Sequence, residues 1–141
     1  MAITRRNVLR LLPLLGSIPA WSSSSDSLPT TVRRFEDLHA EKEDKATFRA
    51  ILEGRTHTGD YLEVHETVLE PGAGPHPPHH HVGEEMFLVS SGTVEITING
   101  KATRLGPGSA AFVASNEEHG LRNAGTGPAQ YFVVTLGAKA E

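Results

Sequence analysis

Val94-Glu95-Ile96-Thr97-Ile98-Asn99-Gly100-Lys101-Ala102-Thr103-Arg104-Leu105 decides the fold class. Val94, Ile96 and Ile98 alternate with Glu95 and Thr97, the period of two that marks a strand with one buried face. Asn99 and Gly100 both tolerate positive φ, as a two-residue hairpin turn demands. Residues 101–105 then return as the partner strand.

The same pattern continues on both sides. Upstream, strands are expected over residues 47–52, 61–69 and 85–89. Their ends are marked by Gly54, by Pro71-Gly72-Ala73-Gly74-Pro75 and by Ser91-Gly92. Downstream, Gly106-Pro107-Gly108 precedes a short apolar strand over 110–114. A β-branched and aromatic strand over 131–136 closes the pattern. Seven or eight strands with no helical period predict an all-β domain, an antiparallel sandwich or barrel. Phe87, Val89, Phe112, Val113 and Phe132 are its expected core. Glu63, Glu66 and Glu70 read as solvated strand-edge charges. His65 can face either the interior or solvent.

The 141 residues suit one domain, and 14 Gly with nine Pro agree with a turn-rich fold. There is no Cys, which excludes disulfides, thiolate metal sites and a Cys nucleophile. Three of the 13 basic residues (Arg5, Arg6 and Arg10) lie in the first 20 positions, leaving ten against 17 acidic ones. So acidic a body predicts no nucleic-acid partner, since phosphate binding needs a basic surface.

Those three arginines belong to an address. Thr4-Arg5-Arg6-Asn7-Val8-Leu9-Arg10 precedes an apolar run that ends in small residues near Ala20. A basic start, a short apolar run and small residues form a secretory signal. Paired arginines followed by two apolar positions and a basic residue resemble the bacterial twin-arginine signal. Residues 1–21 are thus expected to be a signal peptide, with cleavage near Ala20 or within 22–25. Pro13 and Gly16 break the run, and it is too short to stay in a bilayer. A periplasmic or extracellular bacterial protein is expected, with no stable membrane insertion after signal removal. Residues 22–46, Ser-rich and then highly charged, read as a linker with a solvated helical turn or loop. The barrel is expected over 47–137.

Four of the eight histidines fall within six residues: His76, His79, His80 and His81, threaded by Pro75, Pro77 and Pro78. A dense, stiffened imidazole tract points to metal. On an extended chain, positions i and i+2 point the same way. His79 and His81 can therefore aim at one point while His80 points away. A turn at Val82-Gly83 lets Glu84 or Glu85 reach the same point, and a downstream strand supplies His119. Three imidazoles and a carboxylate suit one divalent first-row ion: Mn, Fe, Ni, Cu or Zn. His76 and His80 read as solvated loop residues, or as groups at a cavity mouth.

These residues resemble the cupin superfamily, specifically a small single-domain cupin. Its first motif, from the first His, is H-x-H, three or four residues, E, six residues, G. His79, His81, Glu85 and Gly92 match it, while Ala73 stands where a leading Gly is usual. Its second motif is G, five residues, P-x-G, two residues, H, three residues, N. Gly108, His119 and Asn123 match it, with Ala114 in place of Pro and Asn116 in place of Gly. The resemblance implies an antiparallel jelly-roll β-barrel, the double-stranded β-helix. It implies His79, His81, Glu85 and His119 as metal ligands, and a homodimer.

Four protein ligands on an octahedral ion would leave two positions open. Such a site can support dioxygenase-type or decarboxylase-type chemistry on a small organic acid or phenolic. A non-catalytic metal-storage or small-molecule-binding cupin is the alternative. No acid or base outside the ligand set stands out in the sequence. Twin-arginine export passes folded protein, so the metal can be loaded before Cu(II) or Zn(II) compete for the site. That favours Mn or Fe.

Overall fold

The computed structural model describes residues 27–139. The signal peptide expected over residues 1–21 lies outside them. A 3-10 turn at Phe35–Asp37 leads into nine strands: β1 (Glu41–Glu43), β2 (Ala46–Arg55), β3 (Tyr61–Leu69), β4 (Glu84–Ser91), β5 (Val94–Ile98), β6 (Lys101–Leu105), β7 (Ala110–Val113), β8 (His119–Asn123) and β9 (Ala129–Gly137). The charged segment thus forms a helical turn at its start and a short strand, β1, at its end.

The strands form two antiparallel sheets. One has six strands in the order β1-β2-β3-β9-β4-β7, and the other has three in the order β6-β5-β8. They enclose one core as a jelly-roll barrel, the expected class. The founding hairpin forms as its sequence requires. Asn99 and Gly100 have φ of 47° and 78°, and Ile98 pairs with Lys101.

Register settles which side chains face inward. Glu63, His65, Thr67 and Leu69 of β3 lie opposite Thr135, Val133, Tyr131 and Ala129 of β9. On the other side of β9, Glu85, Phe87 and Val89 of β4 lie opposite Thr135, Val133 and Tyr131. From the small sheet come Val94, Ile96 and Leu121. One end of the barrel is apolar, around Leu69, Val94, Ala129 and Tyr131. The other carries Glu63, His65, Glu85 and Thr135.

The same alternation corrects two expectations. Val113 is buried, so its neighbour Phe112 must face out from edge strand β7 and is 53% exposed. Phe132 likewise is on the outer face and only half-buried. Glu66 is not a solvated charge. It faces outward by parity yet is fully buried, because Arg49 Nη1 (2.8 Å) and Gln130 Nε2 (2.7 Å) cover its carboxylate. Arg49 in turn lies 4.9 Å from the centroid of the Phe35 ring.

Gly92 closes the β4–β5 turn at φ 76°. A Cβ there would meet Ala129 Cα and the Pro128 carbonyl oxygen, each at 2.6 Å. Gly100 has the same hand but nothing within 4 Å. Gly100→Ala should cost about 1 kcal/mol, the conformational term alone. Gly92→Ala should cost about 3 kcal/mol or more, because backbone must also move. Urea midpoints for the two variants check this, and equal losses would contradict it.

Candidate metal centre

The loop before β4 is fastened to β8 at two points. Gly72 N–H donates to Asn123 O (3.0 Å), and Asn123 N–H donates to Ala73 O (2.8 Å). Further along, His79 and His119 exchange two backbone hydrogen bonds, of 2.9 and 2.8 Å. Between these points lie Pro75, Pro77 and Pro78, which have no N–H to give a ladder. The loop therefore bows away and returns, and the second fastening sets His79 beside His119. Pro78 packs on Gly120, where a Cβ would approach its Cγ to 3.0 Å.

His81 follows on the same side of the chain. It is buried while His80 is exposed, as alternation requires. Its backbone carbonyl accepts from Asn116 N–H at 2.8 Å. Asn116 has φ 63°. The motif's usual Gly is replaced here by a residue that also tolerates the left-handed region. At Gly83 a Cβ would collide with the Ala138 carbonyl oxygen, so only Gly lets the chain turn there into β4. Strand parity then puts Glu85 inside and leaves Glu84 exposed.

One ring nitrogen each from His79, His81 and His119 lies within 4.8 Å of the others. His81 Nδ1–H donates to Gly83 O (2.8 Å), and His119 Nδ1–H donates to Glu117 O (2.9 Å). Those bonds fix the tautomer and leave each Nε2 as a lone pair. His81 Nε2, His119 Nε2 and His79 Nδ1 are buried without a hydrogen-bond partner. The Glu85 oxygens lie 3.3 Å from His81 Nε2 and 3.2 Å from His119 Nε2. Neither contact is aligned as a hydrogen bond.

Lone pairs facing a carboxylate repel unless a cation lies among them, so the donor set fits a divalent ion. The acidities follow the same proximity. Burial pushes the Glu85 carboxyl up, but His119 and His81 outweigh it and hold it below the usual range. Glu85 raises His119 against burial, and burial with the neighbouring imidazoles lowers His79.

The cluster borders a cavity of about 380 Å³, lined among others by Phe48, His65, Glu85, Phe87, His119 and Tyr131. His76 stands at its mouth, packed edge-on against His79 with 4.3 Å between centroids. Glu41 and Glu43 of β1 also line it.

The inward row of β3 adds a pair that the sequence reading missed. His65 Nδ1–H donates to Glu63 Oε1 at 2.7 Å, so Glu63 is half-buried and engaged. The signal was present in the i, i+2 spacing, but nothing in the chain said which face of β3 points inward.

A model of the cupin domain matches residues 65–135. Mannose-1-phosphate guanylyltransferase ManC of Salmonella typhimurium is 30% identical over 83 residues, which are 59% of this chain but 17% of that enzyme. The chain thus spans under a fifth of the curated relatives it matches. Among solved structures, KdgF from Halomonas sp. superposes with a TM-score of 0.69 at 16% identity, covering 79% of this chain and 96% of that one. A predicted oxalate decarboxylase from Thermotoga maritima gives 0.66 at 19% identity, covering 77% and 100%. These likenesses establish the fold.

Elemental analysis should find near one divalent ion per wild-type chain. His81→Ala and His119→Ala should each lose it. Glu85→Gln should weaken binding about ten- to a hundredfold, and Glu84→Gln should not. Equal effects at 84 and 85 would contradict the parity assignment.

Proposed function

The chain belongs to the cupin family, and we propose that it is an exported metal-dependent enzyme acting on a small organic acid or phenolic. His79, His81, Glu85 and His119 would hold one Mn(II) or Fe(II). When bound, the ion would supply an open-sided Lewis-acid or redox centre for decarboxylase-type or dioxygenase-type chemistry. The observation that carries this reading is the placement of the donor cluster. It borders a cavity large enough for a small molecule, and two of its members, Glu85 and His119, line that cavity. A storage site gains nothing from such a cavity. Aromatic walls at Phe48, Phe87 and Tyr131 would seat an apolar or ring-bearing substrate. Likeness to a predicted oxalate decarboxylase agrees with the decarboxylase version.

Export rests on the twin-arginine pattern around Arg5 and Arg6. A homodimer is supported by Leu88, Phe112 and Leu136, which are exposed on the outer face of the six-stranded sheet. Among the described residues no helix is long and apolar enough to cross a membrane.

Oxygen uptake and CO₂ release should be followed with Mn(II)- or Fe(II)-loaded protein against phenolic and carboxylic acids. Turnover with at least one acid is expected, and it should vanish in His81→Ala. A fully loaded protein that turns over none of them would favour the storage reading. Arg5→Lys with Arg6→Lys should hold the protein in the cytoplasmic fraction. Continued export of that variant would overturn the twin-arginine route.

A further inference from the structure

The Glu63–His65 pair is a second chemical feature of the same cavity. The His65 ring lines the cavity together with Glu85 and His119. It is held on two sides. Phe48 packs against it at 4.7 Å between centroids, and Glu63 Oε1 accepts from its Nδ1 at 2.7 Å. A carboxylate can only accept, so the Nδ1 of a neutral ring must carry the proton and Nε2 must be the free lone pair. Nε2 has no hydrogen-bond partner among the described residues and is not sealed from solvent. Glu63 is itself steadied. Its other oxygen accepts from Thr135 Oγ1 at 3.2 Å, and that hydroxyl lies 3.4 Å from Glu85 Oε1. A histidine oriented by a carboxylate, with its far nitrogen free beside an open cavity, is the arrangement of a general acid or base.

We infer that His65 is the proton-transfer residue of this cavity and that Glu63 is its positioning residue. The substrate class is a small acid with a carbonyl group next to the carbon that gains or loses the proton. The inference rests on the metal-dependent reading above and selects its decarboxylase version, because dioxygen chemistry needs no such group. In the forward direction the bond between the reacting carbon and the carboxyl group breaks. CO₂ leaves, and the electron pair stays on the carbon and its adjacent carbonyl. With the ring in its protonated form, the N–H bond at Nε2 then breaks as a C–H bond forms with that pair, and the neutral ring left behind takes its next proton from water. In reverse, neutral Nε2 removes a proton from the same carbon and the C–H pair passes into the carbonyl. No oxidant or reductant is consumed.

The reverse half-reaction gives the test. Full-length protein loaded with Mn(II) is incubated in D₂O with pyruvate as probe, and loss of its methyl protons is followed by NMR after removal of the metal. Wild type should exchange these protons well above buffer containing equal Mn(II). His65→Gln should lose about a hundredfold of that rate. Glu63→Gln should lose less. All three proteins should retain near one ion per chain.

A second readout needs no metal and no turnover. Nitrogen-15 histidine spectra of the metal-free protein should show neutral His65 protonated at Nδ1. Glu63→Gln should remove that bias. Unchanged exchange in loaded His65→Gln, no exchange by loaded wild type, or a neutral His65 protonated at Nε2 would each overturn the inference. Wild type that holds no metal would instead overturn the reading on which it rests.

Discussion

Two backbone hydrogen bonds between His79 and His119 carry the rest of the site. They join residues forty positions apart and make the proline-bearing loop an added edge of the small sheet. Without them His79 and His81 would belong to a free surface loop. With them, side chains from the loop and from β8 come into register. The neighbouring contacts serve that closure: Pro78 against the bare Cα of Gly120, and Asn116 N–H on the His81 carbonyl. A loop held at both ends loses much of its conformational freedom before any ligand arrives, so ligand binding has less left to order.

The closure places charge where a barrel would ordinarily place apolar side chains. Glu85 shares the inward row of β4 with Phe87 and Val89, yet it is met by imidazoles. A buried carboxylate with no counter-charge would be expensive. The carboxylate raises the pKa of His119, and a divalent cation among the lone pairs would answer its charge more fully. The barrel thus divides along its length. Leu69, Val94 and Ala129 are fully buried at one end and supply cohesion. The other end gives up part of that cohesion to keep polar groups facing a cavity.

Parity does most of the assigning inside this frame. It puts Glu85 inside and Glu84 outside, and Val113 inside and Phe112 outside. It also sets His65 and Glu63 on the cavity side with Thr135 across from them. Glu66, one position from His65, belongs to the opposite face and to a different network, where Arg49 and Gln130 cover it. Adjacent acids and histidines of one strand therefore have unrelated surroundings. A one-residue slip in the β3–β9 register would exchange them.

Local sequence determined the strands and turns. The Val94–Ile98 alternation, the Asn99-Gly100 turn and the positive φ of Gly92 are consequences of side-chain shape and backbone sterics within a few residues. The spacing of His79 and His81 was legible for the same reason, since a two-residue period acts locally, whereas Glu85 was separated from Glu84 by the motif resemblance. His119 was joined to that group as a residue of a downstream strand and by the motif resemblance, not by any local period. Its nearness to His79 is a long-range pairing that no local period encodes. The inner or outer fate of His65, Glu66 and Phe112 was also decided by tertiary structure. A strand's alternation says that two faces differ, but only the neighbouring strands and the opposite sheet decide which face is covered.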